Sequence, residues 1–161
     1  FSPCKPCNRM AATYEMTLGT MLEDLELLDL IGITETAISR TTDQMAQRNR
    51  DQLYQGFTST GQRLRKYASP NYATVKQAMN PVPGYGNPDF FVTGQFYARL
   101  QAEVFGDIVG IHSSDSKAPY LEDRDGADNI YGLGEKQHEA YIDEDLAPVF
   151  YREVLEGLNL L

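Results

Sequence analysis

Ten consecutive residues, Gln95 to Val104, alternate between polar and apolar character, and this run constrains the fold more than any other feature of the chain. Phe96, Ala98, Leu100, Ala102 and Val104 fall on one side. Gln95, Tyr97, Arg99, Gln101 and Glu103 fall on the other. A period of two belongs to an extended strand with one face in a core and one in water. Gly106-Asp107 follows as a two-residue turn, and Ile108 to Ile111 reads as a returning strand, so a β-hairpin is predicted over residues 95–112. A lone hairpin is not stable in water, so helices must cover its apolar face. The predicted class is therefore α+β, a small antiparallel sheet packed against a long helix and a C-terminal helix.

The helices have their own signals. Met21, Leu22, Leu25 and Leu28 share a face, which predicts a first helix over Thr17–Leu30, ended by Gly32. Thr34 is placed to cap a second, longer helix running to Gly56, with Glu35 in its first turn. Its apolar stripe of Ile38, Thr42, Met45, Asn49 and Leu53 is thin, and contact with another chain could supply the missing burial. Asn49 on that stripe calls for a buried hydrogen bond. Ser69-Pro70 opens a short helix through Met79, with proline at its first position. The stretch Asn80–Pro88 holds three prolines and two glycines, a long loop of the kind that commonly meets a partner. A short helix over 116–123, a turn-rich stretch over 125–134 and a final helix over Glu135–Leu158 complete the chain. That last helix should bury Ile142, Leu146, Phe150, Val154 and Leu158 and be kinked or split near Ala147 by Pro148. The expected organisation is an N-terminal extension over 1–31 with one helix, then a single α+β domain over 32–161. Because the first residue is Phe rather than Met, the sequence is expected to be a trimmed or processed form.

The net charge of −9 argues against a nucleic-acid binder, which needs a positive face to displace phosphate counterions. No apolar run reaches the roughly 20 residues needed to cross a bilayer, so no membrane partner is expected. The charge is also polarised. Arg40 to Lys76 carries seven basic residues against Asp43 and Asp51, and Leu100 onward carries fourteen acids against four bases. Two readings stay open. The two regions attract each other within one molecule, or the positive part of one subunit meets the negative part of the next, as a head-to-tail ring requires.

Each chemical motif fails a specific test. Cys4 and Cys7 form a CxxC pair, but no strand precedes it and His112 and His138 are 26 residues apart, a spacing no zinc finger uses. A terminal disulfide or free thiols account for the pair, with a metal-stabilised binding module as the alternative. Glu122, Asp123, Asp125 and Asp128 around Gly126 do not match a calcium loop, because position 12 counted from Asp123 is Gly134. His138-Glu139 lacks the second histidine of a zinc-protease helix, since Ile142 stands there. His112-Ser113-Ser114-Asp115 has triad residue types, but neighbours at a strand end point to opposite faces, and a strand end with a helix cap explains them. No catalytic residue, metal ligand or cofactor is therefore assigned. The competing enzyme reading is a small hydrolase using His112 or His138 with nearby carboxylates.

Several short pieces share an order with a known group. Asn-Arg-Asp-Gln-Leu-Tyr-Gln-Gly (49–56), Thr-Gly-Gln (60–62), Tyr67-Ala-Ser-Pro70, Thr93-Gly94-Gln95-Phe96-Tyr97, Ser113–Lys117 and Tyr131-Gly132-Leu133 follow one another across residues 34–160. This pattern resembles small virion-morphogenesis proteins of tailed bacteriophages, of the head–tail connector, tail-completion or tail-terminator type. The resemblance implies a non-catalytic structural subunit of a virion, assembled in the host cytoplasm. It would form a homo-oligomeric ring and contact portal, connector or tail proteins. Assembly contacts are expected from the polar helix, the Pro/Gly loop and the acidic C-terminal third. The candidate interaction residues are Arg48, Arg50, Tyr54, Arg63, Arg65, Tyr85, Phe90 and Phe91.

Overall fold

A computed structural model describes residues 18–106 and 108–161. The element order is α1 (Leu18–Leu27), α2 (Leu30–Arg40), α3 (Thr42–Tyr54), α4 (Pro70–Met79), α5 (Gln95–Ala98), β1 (Leu100–Phe105), β2 (Ile108–Ser113), α6 (Ala118–Asp125), α7 (Ala127–Ile130) and α8 (Glu135–Ala140). A π-helical turn, Tyr141–Leu146, then leads into α9 (Ala147–Gly157). The class is α+β, with an antiparallel hairpin against helices and a helix at the C-terminal end.

The hairpin is shorter than its alternation predicts. β1 and β2 pair from Leu100↔Ser113 to Phe105↔Ile108 around Gly106, whose φ of 63° suits the mirror-image turns that hairpins use. Residues 95–98, however, form α5. Phe96 and Tyr97 are both buried, and a one-sided strand cannot bury adjacent side chains. Left-handed Gly94 starts the helical turn that lets both rings reach the core.

The helix expected over 34–56 is two helices. Asp29 accepts the Gly32 amide through Oδ1 at 3.0 Å and starts α2 at Leu30, so Gly32 sits in a first turn rather than ending a helix. Thr34 is interior, its hydroxyl donating to the Leu30 carbonyl. α2 therefore runs through the expected domain boundary at residues 31 and 32. Thr41 separates α2 from α3; its buried hydroxyl bonds the Ala37 carbonyl and the Tyr141 hydroxyl. α3 buries Asn49 and Leu53 of the expected stripe together with Ala46 and Gln52, while Thr42 and Met45 are half-buried. Met21, Leu22 and Leu25 of the expected N-terminal stripe fall on α1, and half-buried Leu28 lies just beyond it. Leu25 is exposed, and the side chains of Met21 and Leu22 lie outside the described residues.

α3 lies against β1, and the core gathers Ala46, Leu53, Leu64, Phe90, Phe96, Tyr97, Leu100, Ala118 and Ile130. The polar residues of α3 fasten the 130–134 segment. Asn49 Nδ2 donates to the carbonyls of Ile130 (3.0 Å) and Gly132 (2.6 Å). Gln52 donates to the Gly132 carbonyl and accepts the Gly134 amide at 2.7 Å. The buried hydrogen-bond role expected of Asn49 is the one it has.

The C-terminal helix is continuous but not uniform. Pro148 lacks an amide hydrogen and its ring would strike the carbonyl four residues back. The wide turn over Tyr141–Leu146 precedes it and gives that ring room. The turn also shifts the buried face. Tyr141 is buried and Ile142 is exposed, while Leu146, Phe150, Val154 and Leu158 are half-buried. α9 runs back along α2, with Arg40 paired to Glu153 and Gly157 against Leu28 and Ile33.

Candidate interaction surface

Helix α4 faces the wrong way for its composition. Ser69 caps it, its hydroxyl accepting the Tyr72 amide, and Pro70 opens it, as the sequence predicts. Ala73, Lys76 and Asn80 then turn inward, with Lys76 only 3% exposed. Tyr72, Val75 and Met79, spaced i, i+3, i+7, turn outward, with Val75 56% exposed. A surface helix ordinarily buries its apolar stripe. Here Val75 and Met79 of that stripe face away from the body of their own chain, and Tyr72 is only partly covered by Tyr67.

A buried ion pair enforces the inversion. Lys76 Nζ lies 2.5 Å from Asp89 Oδ1 and also donates to the Phe91 carbonyl. Asn80 Nδ2 donates to Asp89 Oδ2 at 2.9 Å, and the Phe91 amide donates to Oδ1 at 3.1 Å. The Tyr97 hydroxyl donates to the Asp89 backbone carbonyl. Burial, with Asp89 adding to it, drives that phenol well above the ordinary tyrosine range. Asp89 thus ties α4 to the loop over 80–92, which is held rather than loose. Pro83, Gly86, Pro88 and Phe90 are buried, and Asn87 donates to the Pro83 carbonyl at 2.6 Å. The loop adds exposed Val82, Tyr85, Phe91 and Val92 to the α4 stripe. A second apolar projection is the hairpin tip, where Phe105 is 57% and Ile108 64% exposed.

Beside α4 lies a cleft of about 760 Å³. Arg65, Lys66, Lys117 and Arg124 line it, against Asp115 as the one lining carboxylate among the described residues. Tyr67, Tyr72 and Tyr120 supply aromatic surface. Tyr67 and Tyr72 meet edge to face at 4.9 Å, and burial pushes the Tyr67 hydroxyl above its ordinary range.

The eight candidate interaction residues separate into two sets. Tyr85 and Phe91 are on the exposed surface and Arg65 lines the cleft. The other five serve the chain's own fold. Arg48 pairs with Glu144 at 2.8 Å and with Asp145, whose hydrogen bond is the main reason its guanidinium is held protonated above the usual arginine range. Arg50 donates to the carbonyls of Tyr97 and Leu100. Arg63 donates to the carbonyls of Gln55 and Pro83 and lies 4.1 Å over the Phe57 ring. Tyr54 packs edge-on against Phe91, and Phe90 is buried against Phe96. The polarised charges thus meet within the molecule at Arg40 and Arg48. Lys76–Asp89 and the outward face of α4 were not foreseen, although the spacing of Tyr72, Val75 and Met79 was there to read.

The chemical motifs are dispersed. His112 lies near Glu103, with Nε2 3.9 Å from Oε1. His138 lines a groove with Val109 and Ile111, which face away from His112 along the strand, so the imidazoles do not converge. Asp115 Oδ1 accepts the Lys117 amide at 2.9 Å, a turn leading into α6. Cys4 and Cys7 lie outside the described residues. Among the described residues no three His, Cys, Asp or Glu side chains gather as metal ligands. No described helix is long and apolar enough to cross a membrane. In comparisons with known proteins, no family model, curated protein or solved structure matches this chain.

Proposed function

We propose that this protein is a non-catalytic assembly subunit that works through protein–protein contacts and forms a homo-oligomeric ring. The observation that carries the reading is the outward apolar face of α4, continued by Val82, Tyr85, Phe91 and Val92. Exposed large apolar side chains gathered on one helix and on the loop tied to it mark a contact site. The buried Lys76–Asp89 pair presents that face in one geometry. The virion setting, at the head–tail junction or tail of a tailed phage, rests on the resemblance carried by residues 34–160. Portal, connector or tail proteins are then the neighbours.

Light scattering coupled to size exclusion tests the first half. The wild-type chain is expected to form a discrete oligomer, and Val75→Asp/Met79→Asp a folded species of lower mass. A wild type that stays monomeric at high concentration would refute self-assembly. Mass spectrometry of purified tailed particles tests the second half, and absence of the chain from them would refute the virion assignment.

A further inference from the structure

We infer that the basic, tyrosine-lined cleft beside α4 receives the acidic ridge at the start of the C-terminal helix of a second copy. This inference rests on the self-assembly reading and specifies one contact within it.

The cleft is positive in an acidic protein. Of its four cations, Arg124 is paired with Asp125 at 2.5 Å, whereas Arg65, Lys66 and Lys117 form no ion pair among the described residues. The same chain carries the complement. Glu135, Glu139 and Asp143 are exposed at four-residue intervals, so they share a face of the helix. None forms an ion pair among the described residues, unlike Glu144 and Asp145, which Arg48 holds. The ridge is about 12 Å long at the α-helical rise of ~1.5 Å per residue. The π-helical turn that begins at Tyr141 turns Ile142 outward between Glu139 and Asp143. An apolar side chain flanked by carboxylates suits a cleft that sets Tyr67, Tyr72 and Tyr120 among cations. None of these ridge residues lines the cleft of its own chain, so no described residue of the same molecule pairs with either element. Joining cleft to ridge uses two different patches, a heterologous contact of the kind that closes rings.

Charge exchange followed by sedimentation velocity tests the contact. Arg65→Glu/Lys117→Glu reverses the cleft, and Glu135→Lys/Glu139→Lys reverses the ridge. Each alone should weaken self-association by at least about tenfold, because like charges then face each other. The two variants mixed, or all four changes in one chain, should restore assembly. Assembly should also weaken with added salt. Circular dichroism melting checks that each variant folds, and Arg65→Ala/Lys117→Ala replaces the cleft reversal if it does not. If the wild type assembles and both cleft variants assemble equally well, the cleft assignment falls and the self-assembly reading stands. A monomeric wild type overturns both. Loss without restoration in the mixture overturns the ridge as occupant. So does a labelled single-stranded oligonucleotide that binds the wild type and not the cleft variants, with self-association unaffected by the cleft changes.

Discussion

Replacing Lys76 with methionine removes the cation that faces the Asp89 carboxylate and leaves the rest of that site in place. Both side chains are almost wholly out of water, at 4% and 1% exposure. The carboxylate would keep the Asn80 side-chain donor at 2.9 Å and the Phe91 amide at 3.1 Å, and the Phe91 carbonyl would lose its lysine donor. Breaking a buried pair from one side costs about 3–5 kcal/mol, since an uncompensated charge remains in low dielectric. Against a typical unfolding free energy of about 5–15 kcal/mol, that is a large share. Urea unfolding followed by circular dichroism measures the loss, with the slope against denaturant expected to stay constant. The partner experiment is Lys76→Met/Asp89→Asn, where no charge is stranded. It should be less destabilised than the sum of its two single variants by about 1 kcal/mol or more. A Lys76→Met cost below about 1 kcal/mol, or single effects that add within about 0.5 kcal/mol, would refute the coupling of α4 to the loop through this pair.

Three further outcomes follow from the same geometry. Asn49→Leu strips the side-chain donor from the Ile130 carbonyl and one of the two from the Gly132 carbonyl, and should cost about 2 kcal/mol or more by urea titration. Gly56→Ala puts a Cβ 2.8 Å from Pro83 Cβ at a φ of 80°. It should lower the thermal midpoint clearly more than Gly61→Ala, where φ is 75° and nothing lies within 4 Å. Burial raises the phenols of Tyr67, Tyr97, Tyr131 and Tyr141 in the folded state. Their contribution is intact below the unfolded tyrosine value of about 10 and is lost as pH rises from there toward the folded values. Urea midpoints should therefore fall above pH ~10, and Tyr97→Phe should flatten that decline; an equally steep decline in the variant would count against the assignment.

What could be read from the sequence was local chemistry. Ser69, Pro70 and Met79 bounded α4, Gly106 turned the hairpin, and Pro148 announced an interruption in the last helix. Asn49 stood out because an amide on an apolar stripe must find partners. Tertiary burial decided the rest. The alternation over 95–98 is a strand pattern that yields to the need to bury Phe96 and Tyr97 together. The long polar helix breaks at Thr41, whose hydroxyl meets that of Tyr141, a hundred residues away. The uneven spread of charge along the chain showed that opposite regions could attract, but only geometry gave Arg40 and Arg48 to their own chain and left Arg65, Lys66 and Lys117 without ion-pair partners among the described residues. Lys76 was unreadable for a related reason. A lysine in a ten-residue helix looks solvated until Asp89 appears opposite it.

The π-helical turn over Tyr141–Leu146 has the effect of one residue added to an α-helix. Each residue of an α-helix advances the side-chain direction by about 100°, so the insertion sets the rotational phase of everything after it. Glu153 reaches Arg40, and Gly157 slots against Leu28 and Ile33, only because of that offset. Removing one residue from the turn would leave α9 helical and just as long, yet aim these groups away from α2. The C-terminal end of the chain is thus aimed at its contacts by helical phase as much as by the residues it carries.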